Sequence, residues 1–393
     1  MDLIIIGAGL GGLTAAAALL QRGHRVRVFE QAATLSEVGA GIQMSANAMK
    51  VLDSLGLRAR LEPSAVRPQA FEFRRFDSGE LLHRLPLGAQ HEQRHGAPYL
   101  QIHRSDLHAA LQQVVRALDP AAITLNARAR SVADEGDAVR VDFDGHAPAR
   151  GELVIGADGI KSLVRRHILG DDAPVFTGQL AWRCTVPTER IAPALRTAIV
   201  STIWCGPRNH AVMYYLRGGE LLNFVGCVER TEAADEESWT ARRPWAELDA
   251  DYRGWHPQVR AVIDQVDRDQ CFRWTLNHRQ PSLRWSAARM TMLGDAVHAT
   301  LPYMAQGAAM AIEDAAVLAR ALELPGALAE RLRRYEAHRA PRTARVVRES
   351  VKSGELYHIG DAPTMRQAFI DRDIARSRNE WLYPYDPLKV EIP

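Results

Sequence analysis

Cysteine is scarce in this chain: Cys184, Cys205, Cys227 and Cys271 are widely spaced, with no C-x-x-C pair and no Cys/His cluster at zinc spacing. This argues against a disulfide scaffold, leaves no metal ligand to assign, and fits a reducing cytosol. An excess of charge is missing too, since 49 Lys+Arg face 47 Asp+Glu, a formal net charge of +2. A dedicated nucleic-acid binder would carry a concentrated basic surface, so that class has nothing in its favour. Lysine is confined to Lys50, Lys161, Lys352 and Lys389, and arginine carries nearly all the positive charge. A long unbroken apolar run is also absent. Leu3 to Leu20 carries no charge, and a stretch of about 18 such residues is where a membrane span is first suspected. Gly7, Gly9, Gly11, Gly12 and Thr14 dilute it, and Asp2 stands where a signal peptide would need a cation. No membrane segment or targeting signal is read, and a cytoplasmic location is expected. No repeat, low-complexity tract or long flexible linker appears.

What is present is ordinary globular composition, 47% hydrophobic and 24% charged. The length suits two domains or one large one, at roughly 150 residues per domain. Residues 3–6 form an apolar run of the kind found in a strand buried on both faces. Gly7-Ala8-Gly9-Leu10-Gly11-Gly12 follows, then an alanine- and leucine-rich helical stretch that stops near Gly23. Arg25 to Phe29 alternates as a strand and ends at Glu30. In this βαβ unit Gly7 permits a tight turn, Gly9 lets the backbone approach a pyrophosphate, and Gly12 lets the helix pack on the strand. The helix N-terminus offers free N–H groups to a diphosphate. Glu30 can accept hydrogen bonds from a ribose and disfavours a 2′-phosphate, so the motif reads as a site for FAD or NAD.

Two further motifs lie downstream. Val154-Ile155-Gly156-Ala157-Asp158-Gly159 runs from a strand into a helix, where Asp158 by itself reads as a helix N-cap. Met292-Leu293-Gly294-Asp295 ends another buried strand, and the chain continues through Pro302-Tyr303-Met304-Ala305-Gln306-Gly307 into a helix carrying Glu313 and Asp314. Asp295 can bind a ribitol hydroxyl, and the amides at Gly307 can face a phosphate or a flavin pyrimidine. Taken singly, Asp295 is a turn residue, and Glu313 and Asp314 are surface charges of a helix. Helices are also predicted over 46–55 and 105–117 and strands over 139–143, 152–156 and 289–293. Short apolar runs between about 178 and 230 predict an inserted antiparallel sheet, and from Leu328 onward an Arg-rich helix is expected.

In this order and at these separations the three motifs resemble the single-component FAD-dependent aromatic hydroxylases, which include salicylate, 3-hydroxybenzoate and 6-hydroxynicotinate hydroxylases. The resemblance runs from Leu3 to about Arg348, and Gly39-Ala40-Gly41-Ile42-Gln43 with Asn47 and Ile102-His103-Arg104-Ser105-Asp106-Leu107 add to it. It implies an α/β fold: a Rossmann-like FAD-binding domain, an inserted mostly antiparallel substrate sheet, and C-terminal helices. The expected partition is 1–175 for the first part of the FAD domain, with a small substrate-domain insertion around 65–100. Residues 176–280 would form the substrate domain and 281–393 the return.

The resemblance also implies tightly held, non-covalent FAD. Gly7, Gly9, Gly11, Gly12 and Glu30 would hold its ADP half, Gly41, Arg104 and Asp295 would contact its diphosphate or ribityl region, and Asp158 would support both FAD and the transient nicotinamide. The Met304–Gly307 segment, with Gln306 and Gly307, would lie against the isoalloxazine, and Ala308 would also contact the cofactor. NAD(P)H, with NADH favoured, would dock only transiently, since no second Gly-x-Gly-x-x-Gly exists. The implied reaction uses O₂ and a flavin C4a-hydroperoxide to hydroxylate a small hydroxylated aromatic or N-heteroaromatic acid. His210 and Tyr214 share a strand face and are the expected catalytic pair, with Gln43, Pro302 and Tyr303 around the substrate and His298 a further candidate. The rival readings are epoxidation or hydroxylation of a larger polycyclic or alkene substrate, and an inactive flavin-binding protein. A monomer or homodimer is expected, with no nucleic-acid or membrane partner.

Overall fold

Residues 1–35, 40–230 and 242–393 are described by the computed structural model. The N-terminal apolar run becomes the strand Asp2–Ile6, in which Leu3, Ile4 and Ile5 are wholly buried. A strand with no polar face must lie inside a sheet covered on both sides. It pairs in parallel with Leu153–Gly156 on one side and Arg25–Phe29 on the other, Ile4 standing opposite Val154 and Arg27. The full order is Ser286–Ala287, Met290–Met292, Leu153–Gly156, Asp2–Ile6, Arg25–Phe29 and Ile123–Thr124. All pairs are parallel except the antiparallel edge strand Ser286–Ala287.

That order positions the site. Ile6, Gly156 and Met292 stand level across three neighbouring strands. The next residues are Gly7, Ala157 and Leu293, so three motifs far apart in sequence leave the sheet side by side. They emerge at the carboxyl ends of the strands, where open α/β sheets bind their ligands. Above them the helix Leu10–Leu20 packs on the helix Gly307–Ala321. Gly11 allows the approach, because a Cβ there would come within 2.8 Å of Leu293 Cδ1 and 3.0 Å of Ala311 Cβ.

The second sheet has seven strands, ordered Phe272–His278, Val175–Pro187, Leu221–Glu229, Asn209–Leu216, Ser201–Gly206, Ala70–Arg75 and Leu81–Pro86. It is antiparallel except where Ser201–Gly206 meets Ala70–Arg75 in parallel. The helix Leu328–Tyr357 absorbs Pro341 without ending. The expected Arg-rich helix stops there, and shorter pieces follow at Ala362–Asp371, Ile374–Ser377 and the π-helical turn Arg378–Leu382. Their aromatic residues need cover, and Phe369, Leu382 and Tyr383 share a core with Phe71 and Phe73 of the seven-stranded sheet. No helix among the described residues is long and apolar enough to cross a membrane.

Candidate active site

The glycines of the first motif serve different ends. At Gly7, with φ +102°, a Cβ would lie 2.3 Å from Ala157 O, and at Gly12 it would lie 2.0 Å from Gly7 O. The fold packs against itself at both points. Gly9 has extended backbone, and a Cβ there would meet nothing within 4 Å. The missing side chain leaves space over a helix N-terminus whose first internal bond is Leu13 N–H to Gly9 O, 2.9 Å. The amides before it are open to a ligand, the arrangement a diphosphate needs. Glu30 accepts hydrogen bonds from Ala8 N–H at 2.8 Å and Ala32 N–H at 2.9 Å. It therefore braces the glycine loop while lining, with Gly7, Gly9 and Asp158, a cavity of about 700 Å³.

A second cavity, of about 330 Å³, shares Gly9 and Ala157 with the first, so the two adjoin at the glycine loop. Gly11, Gly41, Arg104, Asp295, Gly307 and Ala308 line it. Asp295 is exposed, and its carboxylate accepts no hydrogen bond from a described residue. The helix at Gly307 makes its first internal bond only at Met310 N–H to Gln306 O, 2.8 Å, leaving earlier amides open. An extended groove with two open helix N-termini and an unengaged carboxylate fits a flavin dinucleotide. Asp158 caps indirectly, accepting from Ser162 O–H at 2.5 Å and Leu163 N–H at 2.7 Å, while Ser162 is the N-cap of Leu163–Leu169. Burial raises the Asp158 pKa against these hydrogen bonds.

Three expectations are corrected next to this groove. Gln306 does not line it: its carboxamide is buried, donating to Ser45 Oγ at 3.0 Å and accepting from Asn47 Nδ2 at 3.0 Å. Glu313 and Asp314 are not surface charges but wholly buried. Arg342 and Arg339 hold Glu313, each at 2.7 Å, with Asn47 Nδ2 donating at 2.6 Å. Asp314 accepts from Arg339 Nε at 2.7 Å, from Gly294 N–H at 3.0 Å, and meets His298 Nε2 at 2.5 Å. Both carboxyl groups titrate below their ordinary values: burial opposes this, and the cations around them outweigh it. His298 therefore supports the Gly294 turn and faces no substrate. The long helix aligns Arg339 and Arg342 toward these acids, a pairing that periodicity alone could not reveal.

The far end of the second cavity is walled by the seven-stranded sheet. His210 and Tyr214 share a face of Asn209–Leu216, and both line the cavity with Gln43, Pro302 and Tyr303. Tyr214 lies on Gly41, where a Cβ would fall 2.5 Å from its ring, so glycine at 41 makes room for the tyrosine. Gln43 Oε1 accepts from Tyr99 O–H and Ser201 O–H, both at 3.2 Å. His210 is 1% exposed, with its ring edge-on to Tyr303 at 4.7 Å between centroids. Burial, reinforced by His358, holds its pKa well below the ordinary value, so the ring is neutral.

Three residues of this end were not foreseen. His358 follows the long helix; its Nε2 lies 2.8 Å from His210 Nδ1, and its Nδ1 lies 2.7 Å from Glu229 Oε1. A carboxylate only accepts, so His358 Nδ1 carries the proton that it donates to Glu229. Neutral His358 then accepts at Nε2, His210 donates from Nδ1, and His210 Nε2 is left as a lone pair. Arg183 lies over Trp274, 4.1 Å from the ring centroid, and Arg378 over Phe71 at 4.9 Å; both line the cavity. The aromatic-rich C-terminal segment was the one hint of Arg378, since aromatic residues need something to cover. Arg183 and His358 had no such signal.

A family model described as FAD binding domain matches residues 1–350. The chain is 40% identical over 360 residues to the 3-amino-4-hydroxybenzoate 2-monooxygenase of Streptomyces cremeus, covering 91% of this chain and 88% of that protein. It is 38% identical over 355 residues to a 6-hydroxynicotinate 3-monooxygenase of Bordetella bronchiseptica, covering 88% and 89%. The solved structure of Klebsiella pneumoniae HpxO with FAD and uric acid matches with a TM-score of 0.83 at 28% identity, over 96% of this chain and 94% of that one.

Proposed function

Because the chain belongs to the FAD-dependent aromatic-ring monooxygenases, we propose that it hydroxylates a small hydroxylated aromatic or N-heteroaromatic carboxylic acid. One atom of O₂ enters the ring and the other leaves as water, with NAD(P)H, NADH preferred, giving two electrons. The named relatives act on 3-amino-4-hydroxybenzoate and 6-hydroxynicotinate, which supports an acid of one ring. The observation that carries the reading is a neutral, buried His210 in a cavity that adjoins the dinucleotide groove at Gly9 and Ala157.

Bound FAD supplies the redox chemistry, taking electrons from the nicotinamide and activating oxygen. Gly9, Gly11, Arg104 and the open amides at Gly307 would hold its diphosphate and ring, Glu30 its adenosine ribose and Asp295 its ribityl chain. His210 Nε2 takes the substrate's hydroxyl proton, because a phenolate ring is the better nucleophile. His210 Nδ1–H passes a proton to His358 Nε2, and His358 Nδ1–H passes one to Glu229, at the surface end of the line. Tyr214, Tyr303 and Pro302 close the apolar walls that keep water from the reacting atoms. A cavity of about 330 Å³ that must also seat the flavin ring favours a single-ring substrate over a polycyclic one.

The test is a panel of hydroxybenzoates and hydroxypyridine carboxylates with the yellow holoenzyme, scoring hydroxylated product against H₂O₂. One member should accelerate NADH oxidation with product matching NADH consumed. Acceleration by none, or acceleration yielding only peroxide, overturns the reading.

A further inference from the structure

Five arginines are buried: Arg75, Arg165, Arg279, Arg339 and Arg378. Four meet a carboxylate: Arg75 pairs with Asp77, Arg165 and Arg279 with Asp172, and Arg339 with Glu313 and Asp314. Arg378 meets none among the described residues, although it is only 4% exposed. Removing a guanidinium from water without a counter-charge is costly, and here aromatic rings and phenols, with Tyr383 hydrogen-bonded to it, stand where an acid would. The face of Phe71 lies 4.9 Å away, and the phenols of Tyr99, Tyr357 and Tyr383 are its polar neighbours. Aromatic faces and neutral phenols weakly favour a cation and leave its charge uncancelled.

We propose that Arg378 is the carboxylate anchor of the substrate cavity, receiving the acid group of a single-ring aromatic acid. The proposal rests on the hydroxylation of such an acid argued above, and adds where its charge is read. Arg378 lines the cavity, and its planar fork can take both oxygens of one carboxylate. Tyr357 connects it to the chemistry: the Tyr357 ring lies 5.3 Å from that of His210 and is also a neighbour of Arg378. One wall of the cavity thus presents a cation for the carboxylate and a neutral base for the hydroxyl. Arg378 comes from the C-terminal turn Arg378–Leu382, beyond the residues 1–350 matched by the family model. Arg104 and Arg183 line the cavity too, and Arg183 lies near Tyr214 and Cys227 instead.

The experiment titrates FAD-loaded enzyme with 3-hydroxybenzoate, 6-hydroxynicotinate and their neutral carboxamides, following perturbation of the flavin spectrum. Wild type should bind at least one acid more tightly than its amide. Arg378→Met should weaken the acid by roughly 10²-fold and leave the amide within about threefold, since the lost interaction is charge-assisted. Arg378→Lys keeps the charge in a shape closer to wild type and should recover part of the preference. Arg183→Met should keep the preference. An unchanged acid-to-amide ratio in Arg378→Met overturns the proposal, as does loss of the preference in Arg183→Met. If wild type turns over an acid while Arg378→Met keeps its ratio, the anchor alone fails. If no acid perturbs the wild-type flavin, the substrate class fails and the anchor with it.

Discussion

Two sets of buried charge in this molecule differ in one respect that separates scaffold from site. Behind the Gly294 turn, Glu313 and Asp314 are surrounded by Arg339, Arg342, His298 and Asn47, and each carboxylate has cationic and hydrogen-bonding partners. In the cavity, Arg378 has no acid among the described residues and His210 has an unused lone pair, although both are as deeply buried. A satisfied buried network holds its shape without a ligand, whereas groups buried with unmet capacity need one.

The widest separation between the two sets should appear in stability. Arg339→Met strips two buried carboxylates of a partner and should cost about 3–5 kcal/mol, the usual penalty for breaking a buried pair from one side. Arg378→Met leaves no stranded charge behind, so the ligand-free protein should be as stable as wild type or more so. Urea unfolding of both variants in the absence of substrate measures the difference. Equal losses would mean that Arg378 is held by the scaffold after all.

Catalysis should separate them next. His210→Ala should leave FAD content near wild type and slow hydroxylation by roughly 10²–10⁴, the range for lost acid–base help. NADH would still be consumed, with H₂O₂ in place of product. Normal coupling in this variant would reduce His210 to sheet packing.

The fold was legible because its signals are local. The run Leu3–Ile6, the Gly7–Gly12 loop and Glu30 each state their role within about thirty residues of chain. The shared face of His210 and Tyr214 on Asn209–Leu216 was readable for the same reason, since strand alternation puts both on one side, and both line the cavity. What could not be read was charge partnership at long range. Glu313 and Asp314 looked like solvated helix charges because their arginines lie 25 or more residues away on another helix. Gln306 looked like a flavin contact from its place beside Gly307, but a side chain's direction depends on a partner, here Asn47. Arg378 and His358 act from a segment with no motif, and only packing against Phe71 and Phe73 brings it to the cavity.

Within the groove itself the same distinction predicts a smaller effect. Asp295 has no described hydrogen-bond partner, so Asp295→Ala should weaken FAD by about 1.5–3 kcal/mol, one charge-assisted hydrogen bond, with little change in apoprotein stability. Ultrafiltration of released flavin and a thermal melt give the two numbers. Unchanged FAD affinity with a large stability loss would make Asp295 a turn residue instead.

The least expected effect concerns His358, which touches no substrate and acts only through His210. His358→Gln keeps the volume and a donor but cannot pass a proton along the line to Glu229. Deprotonation of a bound hydroxybenzoate, read from its absorbance after a rapid pH jump, should slow roughly tenfold while binding is unchanged. The pH dependence of stability supplies the control. Burial holds the pKa of His210, and that of His358, below the ordinary value of about 6.5. In the unfolded chain both take up protons near that pH, while the folded protein keeps them neutral. Their contribution is therefore complete above about pH 6.5 and is lost as the pH falls below it, because the unfolded state then binds more protons. Removing His358 should flatten that acid-side slope. A flattened slope with the pH-jump phase intact would show that the imidazole is packed there without relaying a proton.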